Sequence, residues 1–381
     1  MTTTSRQPSS SPTSTAGGVL TVDLFRLQEN WLSLARRVAP AECAAAVKAN
    51  AYGLGLGPCA GALWQAGCRT FFVALPQEGA TLRRILPEAR ILVLAGLLRG
   101  LARHYLEHLL EPVLGSIEEV EEWANDAPGA PAALQIDTGF NRLGLSPADA
   151  RRLEEGPLAP RLNPSLVVSH LACGDDPDSP MNYHQLALFR SLRALFPKAP
   201  ASLANSPGIF LSPDFHLDLV RPGIALYGCN PFLDRPNPMQ PVVRLSAMLL
   251  QVRNVEAGET VGYGAEWAAS RPSRIGILSA GYHDGLRRSL AGGPAGVYID
   301  GRFAPIAGRV SMDLTAVDLT DVPPERAKRG DWVELIGEHA TVDQVAAWAG
   351  TIPYEVLTGL GSRYARVYTP APSSSARKDP A

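Results

Sequence analysis

The chain has 381 residues, a formal net charge of −2 at pH 7, 46% hydrophobic residues and 19% charged residues. The length exceeds what one hydrophobic core usually serves, so the sequence predicts two domains of an ordinary globular protein. Because the charge is nearly balanced and no basic block occurs, we expect small-molecule partners and exclude nucleic acid and anionic membranes.

Both ends of the chain are rich in Ser together with Thr or Pro. We expect residues 1–18 and 372–381 to be disordered tails. The first segment lacks the apolar core of a secretory signal, and no stretch approaches the roughly 18 to 20 apolar residues of a membrane span. These features predict a cytoplasmic protein.

From about residue 44 to residue 228, short apolar runs alternate with segments of helical periodicity. Most runs are nearly continuous in apolar residues, as in parallel strands covered on both faces. They lie at 44–48, 71–75, 91–95, 112–114, 132–137, 166–170, 202–205 and 217–220. Eight strands, each followed by a helix, predict an α/β fold with a (β/α)8 TIM barrel in residues 19–240, although an open doubly wound sheet would show the same local pattern.

Residues 241–371 have a different sequence pattern. Strand-like runs are separated by Gly, Asp and Pro, and little helical periodicity is found. This segment predicts a mainly β C-terminal domain. Residues 19–23, VLTVD, can supply a further strand to it, which would leave the barrel inserted between two pieces of the β domain. The cysteines are odd in number and lack the paired spacing of a zinc site, so we expect buried thiols and no metal site.

Polar residues lie at the ends of five of the eight predicted strands. Lys48 ends the first, Asp137 ends the fifth with Arg142 beyond it, His170 ends the sixth, Asn205 ends the seventh with Ser206 beyond it, and Arg221 follows the eighth. Barrel enzymes carry their chemistry at the carboxyl ends of the strands, so we expect these side chains to surround one end of the barrel.

Each of these residues also has a purely structural interpretation. Lys48 could extend its amine into water, His170 could be a core histidine, and Asn205 could cap the following helix. Arg221 could pair with Asp218. However, a helix start after the seventh strand of a barrel is a common phosphate site. A lysine and a phosphate site at one barrel end suggest pyridoxal phosphate, held by a Schiff base and by its phosphate, although barrels bind other phosphates as well.

The stretch AVKANAYGLG, residues 46–55, resembles the signature of the pyridoxal phosphate-dependent alanine racemases. Further stretches match that family in the same order between about residues 19 and 371: IDTGFNRLG, SHLACGDD, NSPG, VRPGIALYG, SAGYHDG, GRVSMDL and YEVLTGLGSRYARVY. The resemblance implies a barrel followed by a β domain and a homodimer with shared active sites. It also implies that the protein interconverts L-alanine and D-alanine for peptidoglycan synthesis.

The resemblance further implies a role for each residue. Lys48 would carry the cofactor and act as a base on one face of the substrate Cα, while Tyr282 of the partner subunit would act on the opposite face. Two bases are needed because one alone tends to return the proton to its original side. The other cofactor contacts would be Tyr52, His170, Asn205, Ser206, Gly223, Ile224 and Arg221, the last at the pyridine nitrogen. Arg142 and the backbone N–H of Met312 would bind the substrate carboxylate.

Two positions depart from the family pattern. One is Ser362, where some members place a tyrosine that contacts the phosphate, so that this contact would be weaker or made by the serine hydroxyl. The other is Gln135. Many members carry a carbamylated lysine where this chain has Gln135, and its negative charge helps to hold the substrate-binding arginine. Because Gln135 is neutral, we expect a bound anion or a direct amide hydrogen bond to hold Arg142.

Three other functions remain alternatives at this point. They are a broad-specificity racemase of the same fold, a non-catalytic pyridoxal phosphate carrier and a basic amino-acid decarboxylase. Tyr282 and the long C-terminal region disfavour the carrier, and Arg221 disfavours the decarboxylase, whose chemistry favours a carboxylate at the pyridine nitrogen.

Overall fold

The computed structural model describes residues 15–232 and 234–370. They divide into two compact units, one containing Asp23–Val242 and residues 369–370, the other containing residues 15–22 and Val243–Tyr368. We propose that these units are the two domains expected from the sequence. The predicted tails lie mostly outside the described residues.

The first unit is a closed barrel of parallel strands. They are β2 (Glu42–Cys43), β3 (Ala45–Ala46), β4 (Thr70–Val73), β5 (Arg90–Val93), β6 (Glu111–Leu114), β7 (Pro131–Gln135), β8 (Asn163–Val168), β9 (Ala201–Ser202) and β10 (Leu219–Val220). Pairing runs in sequence order from β3 to β9, and β10 pairs with β2. The Arg221 N–H donates to the Ala204 carbonyl at 2.9 Å and links the ends of β10 and β9. The predicted barrel is therefore confirmed, with β2 and β3 forming one interrupted strand.

The barrel strands are buried because their apolar runs are covered on both faces. All four residues of β4 are buried, as are the last three of β5 and of β6. The strands nevertheless end earlier than predicted. β3 ends two residues before Lys48 and β8 ends two residues before His170, so both residues lie beyond the strands, Lys48 as the first residue of the next element and His170 on a loop.

Helices connect most of the strands. They are α1 (Leu24–Val38), α2 (Lys48–Tyr52), α3 (Leu56–Ala66), α4 (Pro76–Ile85), α5 (Ala102–Glu107), α6 (Ile117–Asp126), α7 (Pro147–Glu155) and α8 (Pro180–Arg193). Ser116 and Ser146 cap the starts of α6 and α7 by accepting hydrogen bonds from backbone N–H groups three residues on. The prediction of a helix after every strand is wrong at the last two, which are followed by the short 3-10 turns Pro207–Phe210 and Ile224–Tyr227.

The second unit is mainly β. Its elements are β1 (Gly18–Asp23), β11 (Val243–Val255), β12 (Thr260–Val261), β13 (Trp267–Ala268), β14 (Ser273–Leu278), β15 (Gly296–Ile299), β16 (Arg302–Pro305), β17 (Thr315–Asp318), β18 (Trp332–Ile336), α9 (Val342–Trp348), α10 (Pro353–Thr358) and β19 (Ala365–Thr369). The long strand β11 pairs with β1, β14 and β18, all antiparallel. A bulge in its pairing with β14, between Leu249 and Gln251, bends it. One strand thus organises an eight-stranded sheet.

Two further expectations from the sequence concern the cysteines and a membrane-spanning segment. Four of the five cysteines are buried and none forms a disulfide. Burial raises the pKa of Cys59 to about 12, so its thiol is protonated at neutral pH. Within residues 15–232 and 234–370 no helix is both long and apolar enough to cross a bilayer.

Candidate active site

Lys48 follows β3 at the carboxyl end of the barrel and begins an unusual turn. Ala49, Asn50 and Ala51 have φ of 53°, 56° and 53° with ψ near 50°, and Tyr52 has φ of 55°. These values are those of a left-handed helix, which costs roughly 1–2 kcal/mol for each residue other than glycine. Strain of this size persists only where the surrounding structure enforces it, and it is concentrated at functional sites.

Two side chains enforce the left-handed turn. The Glu78 carboxylate accepts hydrogen bonds from the N–H groups of Ala49 and Ala74, both at 2.7 Å, and so ties the turn to the end of β4. Within the turn, Asn50 Oδ1 accepts from the Leu56 N–H at 2.8 Å, which fixes the start of α3. The backbone that follows Lys48 is therefore held in place.

The Lys48 amine lies in a partly desolvated, positively charged environment. Burial lowers its pKa most, the nearby charges of Arg142 and Arg221 lower it further, and only Glu78 opposes them. In the described part of the chain, its Nζ has no hydrogen-bond or ion-pair partner. The structure thus favours the neutral amine, which is the nucleophilic form.

Arg221 is a buried cation without a carboxylate partner among the described residues. Its guanidinium donates to Ser202 Oγ and the Ser169 carbonyl and lies 3.4 Å from His170 Nδ1. Burial lowers the pKa of Arg221 to about 10, so it remains charged at neutral pH. The expected alternative, a pair with Asp218, is wrong, because that carboxylate binds Arg193.

His170 is neutral at physiological pH. Burial, followed by the charges of Arg221, Arg142 and Lys48, lowers the pKa of its imidazole to about 3. A neutral ring nitrogen can accept a hydrogen bond from Arg221, which a charged imidazolium cannot do. The histidine is therefore suited to orient Arg221 rather than to act as an acid.

Ser206 and Gly223 form a small polar cradle beside Tyr52. Ser206 Oγ accepts hydrogen bonds from the N–H groups of Gly223 at 2.8 Å and Ala225 at 3.3 Å. A Cβ at Gly223 would lie 2.2 Å from the Tyr52 hydroxyl oxygen, so only glycine fits this position. Tyr52 cannot easily yield, because its ring packs against Tyr227 with centroids 4.7 Å apart and planes tilted by 35°.

The cradle also presents a buried donor. Ile224 is fully buried, and its N–H has no acceptor among residues 15–232 and 234–370. Asn205 lies beside the cradle, where its Oδ1 accepts from the Gly208 N–H at 3.1 Å and caps the turn Pro207–Phe210. An unsatisfied buried donor of this kind is suited to an anionic ligand such as phosphate.

Arg142 lies on an exposed loop whose geometry Asp137 fixes. The Asp137 carboxylate accepts hydrogen bonds from the N–H groups of Gly139, Phe140 and Asn141. The guanidinium carbon of Arg142 lies 4.1 Å from the centroid of the Phe140 ring. No hydrogen bond or ion pair to its guanidinium is found in the described chain, so its donors are free to bind a carboxylate.

The expected direct hydrogen bond from the Arg142 guanidinium to the Gln135 amide oxygen is absent. Gln135 Nε2 donates instead to the carbonyl oxygen of Leu143, at 2.8 Å. The amide stands at the end of β7 and reaches only the backbone of the residue next to Arg142. Gln135 therefore holds the loop and not the guanidinium.

Tyr282 and Met312 belong to the second unit, where two loops approach closely. The Tyr282 N–H donates to the Ser311 carbonyl at 2.9 Å, and the His283 N–H donates to the Met312 carbonyl at 3.0 Å. A Cβ at Gly281 would lie 2.4 Å from both carbonyl oxygens, so the approach requires glycine there. The side chains of Tyr282 and Met312 are 42% and 52% exposed and are accessible to another molecule.

An ionic clamp joins these two loops. Arg363 donates two hydrogen bonds of 2.7 Å to the buried carboxylate of Asp284 and a third of 2.7 Å to Asp313. The same Asp284 carboxylate accepts from the Gly281 N–H at 3.0 Å. Asp313 therefore has a structural partner.

The predicted residues thus lie in two groups. The barrel cluster comprises Lys48, Tyr52, Arg142, His170, Asn205, Ser206, Arg221, Gly223 and Ile224. Tyr282 and Met312 form the second group, in the other unit. Sequence reasoning missed Glu78, Phe140, Asp284 and Arg363, although the last three lie within the quoted motifs IDTGFNRLG, SAGYHDG and YEVLTGLGSRYARVY. Among the described residues, no group of three or more His, Cys, Asp and Glu side chains is placed to hold a metal ion.

Comparisons with known proteins match both units. Residues 22–231 match the family described as alanine racemase, N-terminal domain, and residues 242–368 match alanine racemase, C-terminal domain. The chain is 48% identical over 363 residues to the biosynthetic alanine racemase of Agrobacterium fabrum, covering 92% of this chain and 93% of that protein. It is 50% identical over 360 residues to the alanine racemase of Methylobacterium sp. strain 4-46, covering 93% and 99%.

Solved structures give the same result. The crystal structure of alanine racemase from Bartonella henselae with covalently bound pyridoxal phosphate matches with a TM-score of 0.89 and 42% identity, covering 93% of this chain and all of that one. The biosynthetic alanine racemase of Pseudomonas aeruginosa matches with a TM-score of 0.85 and 38% identity, covering 93% and 99%.

Proposed function

The chain belongs to the alanine racemase family, and we propose that it interconverts L-alanine and D-alanine with pyridoxal phosphate, using Lys48 and Tyr282 as its two bases. The observation that carries this proposal is the barrel cluster. It places an amine with a lowered pKa, a buried cation and a glycine-lined cradle at one end of the barrel. An aldehyde cofactor with a phosphate needs these three features together.

The residues present fit this cofactor. The free N–H of Ile224, next to the glycine that lets the Tyr52 hydroxyl approach the backbone, suits a phosphate, with Tyr52, Asn205 and Ser206 around it. When bound, pyridoxal phosphate supplies an aldehyde that links covalently to amino groups and a ring that delocalises negative charge left at Cα. The Lys48 amine, whose pKa is lowered by burial and by Arg142 and Arg221, is the group on this chain suited to hold the aldehyde.

Arg221 is the residue assigned to the pyridine nitrogen. It stays protonated at neutral pH, and its two buried hydrogen bonds and the neutral His170 fix its direction. Because guanidinium keeps its proton, it stabilises an unprotonated ring nitrogen and so limits electron withdrawal into the ring. This limits reactions other than exchange of the Cα proton.

The substrate would be held by its carboxylate and deprotonated at Cα. Arg142, whose guanidinium donors are free, and the N–H of Met312, which has no acceptor in the described part of the chain, are suited to the carboxylate. Lys48 would take or give the Cα proton on one face and Tyr282 on the other. We assign Tyr282 and Met312 to the partner subunit, so that a homodimer would have two shared sites. We place this activity in the cytoplasm, supplying D-alanine for peptidoglycan synthesis.

The test of this function uses heavy water. Protein loaded with pyridoxal phosphate and incubated with L-alanine is expected to yield D-alanine carrying deuterium at Cα, because the proton delivered to the new face comes from a base that exchanges with solvent. Chiral chromatography with mass detection measures both the amount of D-alanine and its deuterium content. Recovery of L-alanine alone, without label, would disprove the proposal, and parallel incubations with serine and lysine measure specificity.

A Gly223→Ala variant is expected to bind pyridoxal phosphate more weakly. The new Cβ would lie 2.2 Å from the Tyr52 hydroxyl and 3.5 Å from the Cβ of Ala46, and Tyr227 blocks movement of the tyrosine ring. Overpacking of this kind costs about 1–3 kcal/mol, which corresponds to about a 5- to 150-fold rise in the dissociation constant. Fluorescence titration of the apoprotein with pyridoxal phosphate measures this dissociation constant.

Gly61→Ala is the matched control for this variant. Gly61 lies in α3, and a Cβ added there would have no atom within 4 Å, so its replacement should leave cofactor affinity unchanged. If Gly223→Ala bound pyridoxal phosphate as tightly as the unchanged protein, the cradle would not be what holds the phosphate.

A further inference from the structure

The guanidinium of Arg142 has an aromatic support in place of an ionic one. Its central carbon lies 4.1 Å from the centroid of the Phe140 ring, in the geometry of a cation–π contact. Among the described residues no carboxylate forms an ion pair with Arg142, and Gln135, whose Nε2 donates to the Leu143 carbonyl, forms no hydrogen bond with its guanidinium. Within residues 15–232 and 234–370, the Phe140 ring is thus the side chain found in contact with this guanidinium.

Phe140 is itself fixed from two sides. Its N–H donates to Asp137 Oδ1 at 2.9 Å, in a set of three hydrogen bonds that defines the loop. Its ring packs edge-on against the His170 imidazole, with centroids 5.5 Å apart and planes at 61°. His170 in turn lies 3.4 Å from Arg221. Phe140 therefore connects the residues assigned to the substrate carboxylate with those assigned to the cofactor ring.

A neutral ring suits this task better than a carboxylate would. An ion pair would hold Arg142 but would also neutralise part of the charge that must attract the substrate. A ring face restricts the guanidinium to one plane and leaves both of its forked N–H donors and its full charge available. We propose that Phe140 is a positioning residue for Arg142 and so sets the affinity for the substrate carboxylate; this inference rests on the proposed function.

The test compares ring-less and ring-retaining variants of the holoenzyme. Phe140→Leu is expected to raise KM for L-alanine about three- to tenfold, the range of one cation–π contact, with kcat changed less than KM. The inhibition constant of propionate, a carboxylate without an amine, should rise in parallel. Phe140→Tyr keeps the ring and should stay within about twofold of the unchanged protein. If Phe140→Leu does not fold, Phe140→Met serves as the ring-less variant.

A double-mutant cycle separates positioning from general structural damage. In an Arg142→Gln background the ring has no cation to orient, so adding Phe140→Leu should no longer change KM or the propionate constant. Trp64→Leu removes the Arg69–Trp64 contact of 4.2 Å elsewhere on the barrel and should leave both constants unchanged.

Two outcomes would overturn the inference: unchanged KM in both ring-less variants, or an equal effect of Phe140→Leu with and without Arg142. Either result, obtained with protein that racemises alanine, leaves the proposed function intact. Absence of racemisation in the unsubstituted protein would instead contradict the proposed function itself.

Discussion

A Lys48→Ala variant is expected to lose racemase activity by on the order of 10³-fold or more. The change removes both the amine that holds the cofactor and the base on one face of Cα, and each of these groups contributes orders of magnitude. Its environment supports this role, because burial and two nearby arginines lower the pKa of the amine. Loss of the absorbance of covalently attached cofactor and a chiral assay of alanine measure the two consequences separately.

Lys198→Ala is the matched control for this variant. Lys198 is an exposed lysine of the same unit, and its removal should leave both readouts unchanged. A Lys48→Ala protein that still attaches the cofactor covalently, or still forms D-alanine at more than about a tenth of the normal rate, would remove Lys48 from the mechanism.

The pH dependence of cofactor attachment provides a second measurement on the unsubstituted protein. Only the neutral amine attacks an aldehyde, so the attachment rate rises with pH until the Lys48 amine is fully deprotonated. Because burial and Arg142 lower the pKa of Lys48, the plateau should begin at lower pH than for an exposed lysine. Arg142→Gln removes one of the positive charges and should move the plateau toward higher pH.

The barrel was predictable from the sequence because buried parallel strands leave a simple signature. Runs such as FFVAL and ILVLA are apolar throughout, and they occur in the places where β4 and β5 are found. The number of these runs, eight, predicted that the strands close into a barrel. The two short 3-10 turns after the last strands were not predicted, because segments such as GIALYG have helical composition and only the cradle geometry shortens them.

The barrel cluster was only partly predictable. Polar residues after the strands marked Lys48, His170 and Arg221, and the structure brings them together. The left-handed backbone after Lys48 was not predictable, because Ala and Tyr prefer negative φ and one of the two side chains that enforce the turn, Glu78, lies thirty residues on.

Contacts between residues far apart in sequence were missed for the same reason. The clamp between Asp284 and Arg363 spans 79 positions, and no local sequence pattern indicates that the two residues meet. Glu119 and Glu122 of α6 also contact backbone that lies before the helix in the sequence. Each carboxylate accepts a backbone N–H, from Gly115 and Gly100 respectively.

A Tyr282→Phe variant is expected to lose about 10²- to 10⁴-fold in racemase activity, because one phenol hydroxyl is removed and the second face of Cα then has no base. The backbone of the loop should be unaffected, since the hydrogen bonds from the Tyr282 and His283 N–H groups to the Ser311 and Met312 carbonyls do not involve the phenol. Chiral chromatography measures the rate. Tyr263→Phe alters another exposed tyrosine of the same unit. It shows how much racemase activity is lost when a phenol hydroxyl is removed at a different position.

Mixing two inactive variants tests whether the site is shared between subunits. A heterodimer of Lys48→Ala and Tyr282→Phe chains has one site with both substitutions and one with neither, provided that Lys48 works with the partner subunit's Tyr282. Random exchange makes half of the dimers mixed, so about one quarter of the normal activity should return, as half of the dimers each regain one of two sites. If Lys48 and Tyr282 of the same chain worked together, every site would lack one base and no activity would return. The unmixed proteins, taken through the same exchange procedure, give the baseline.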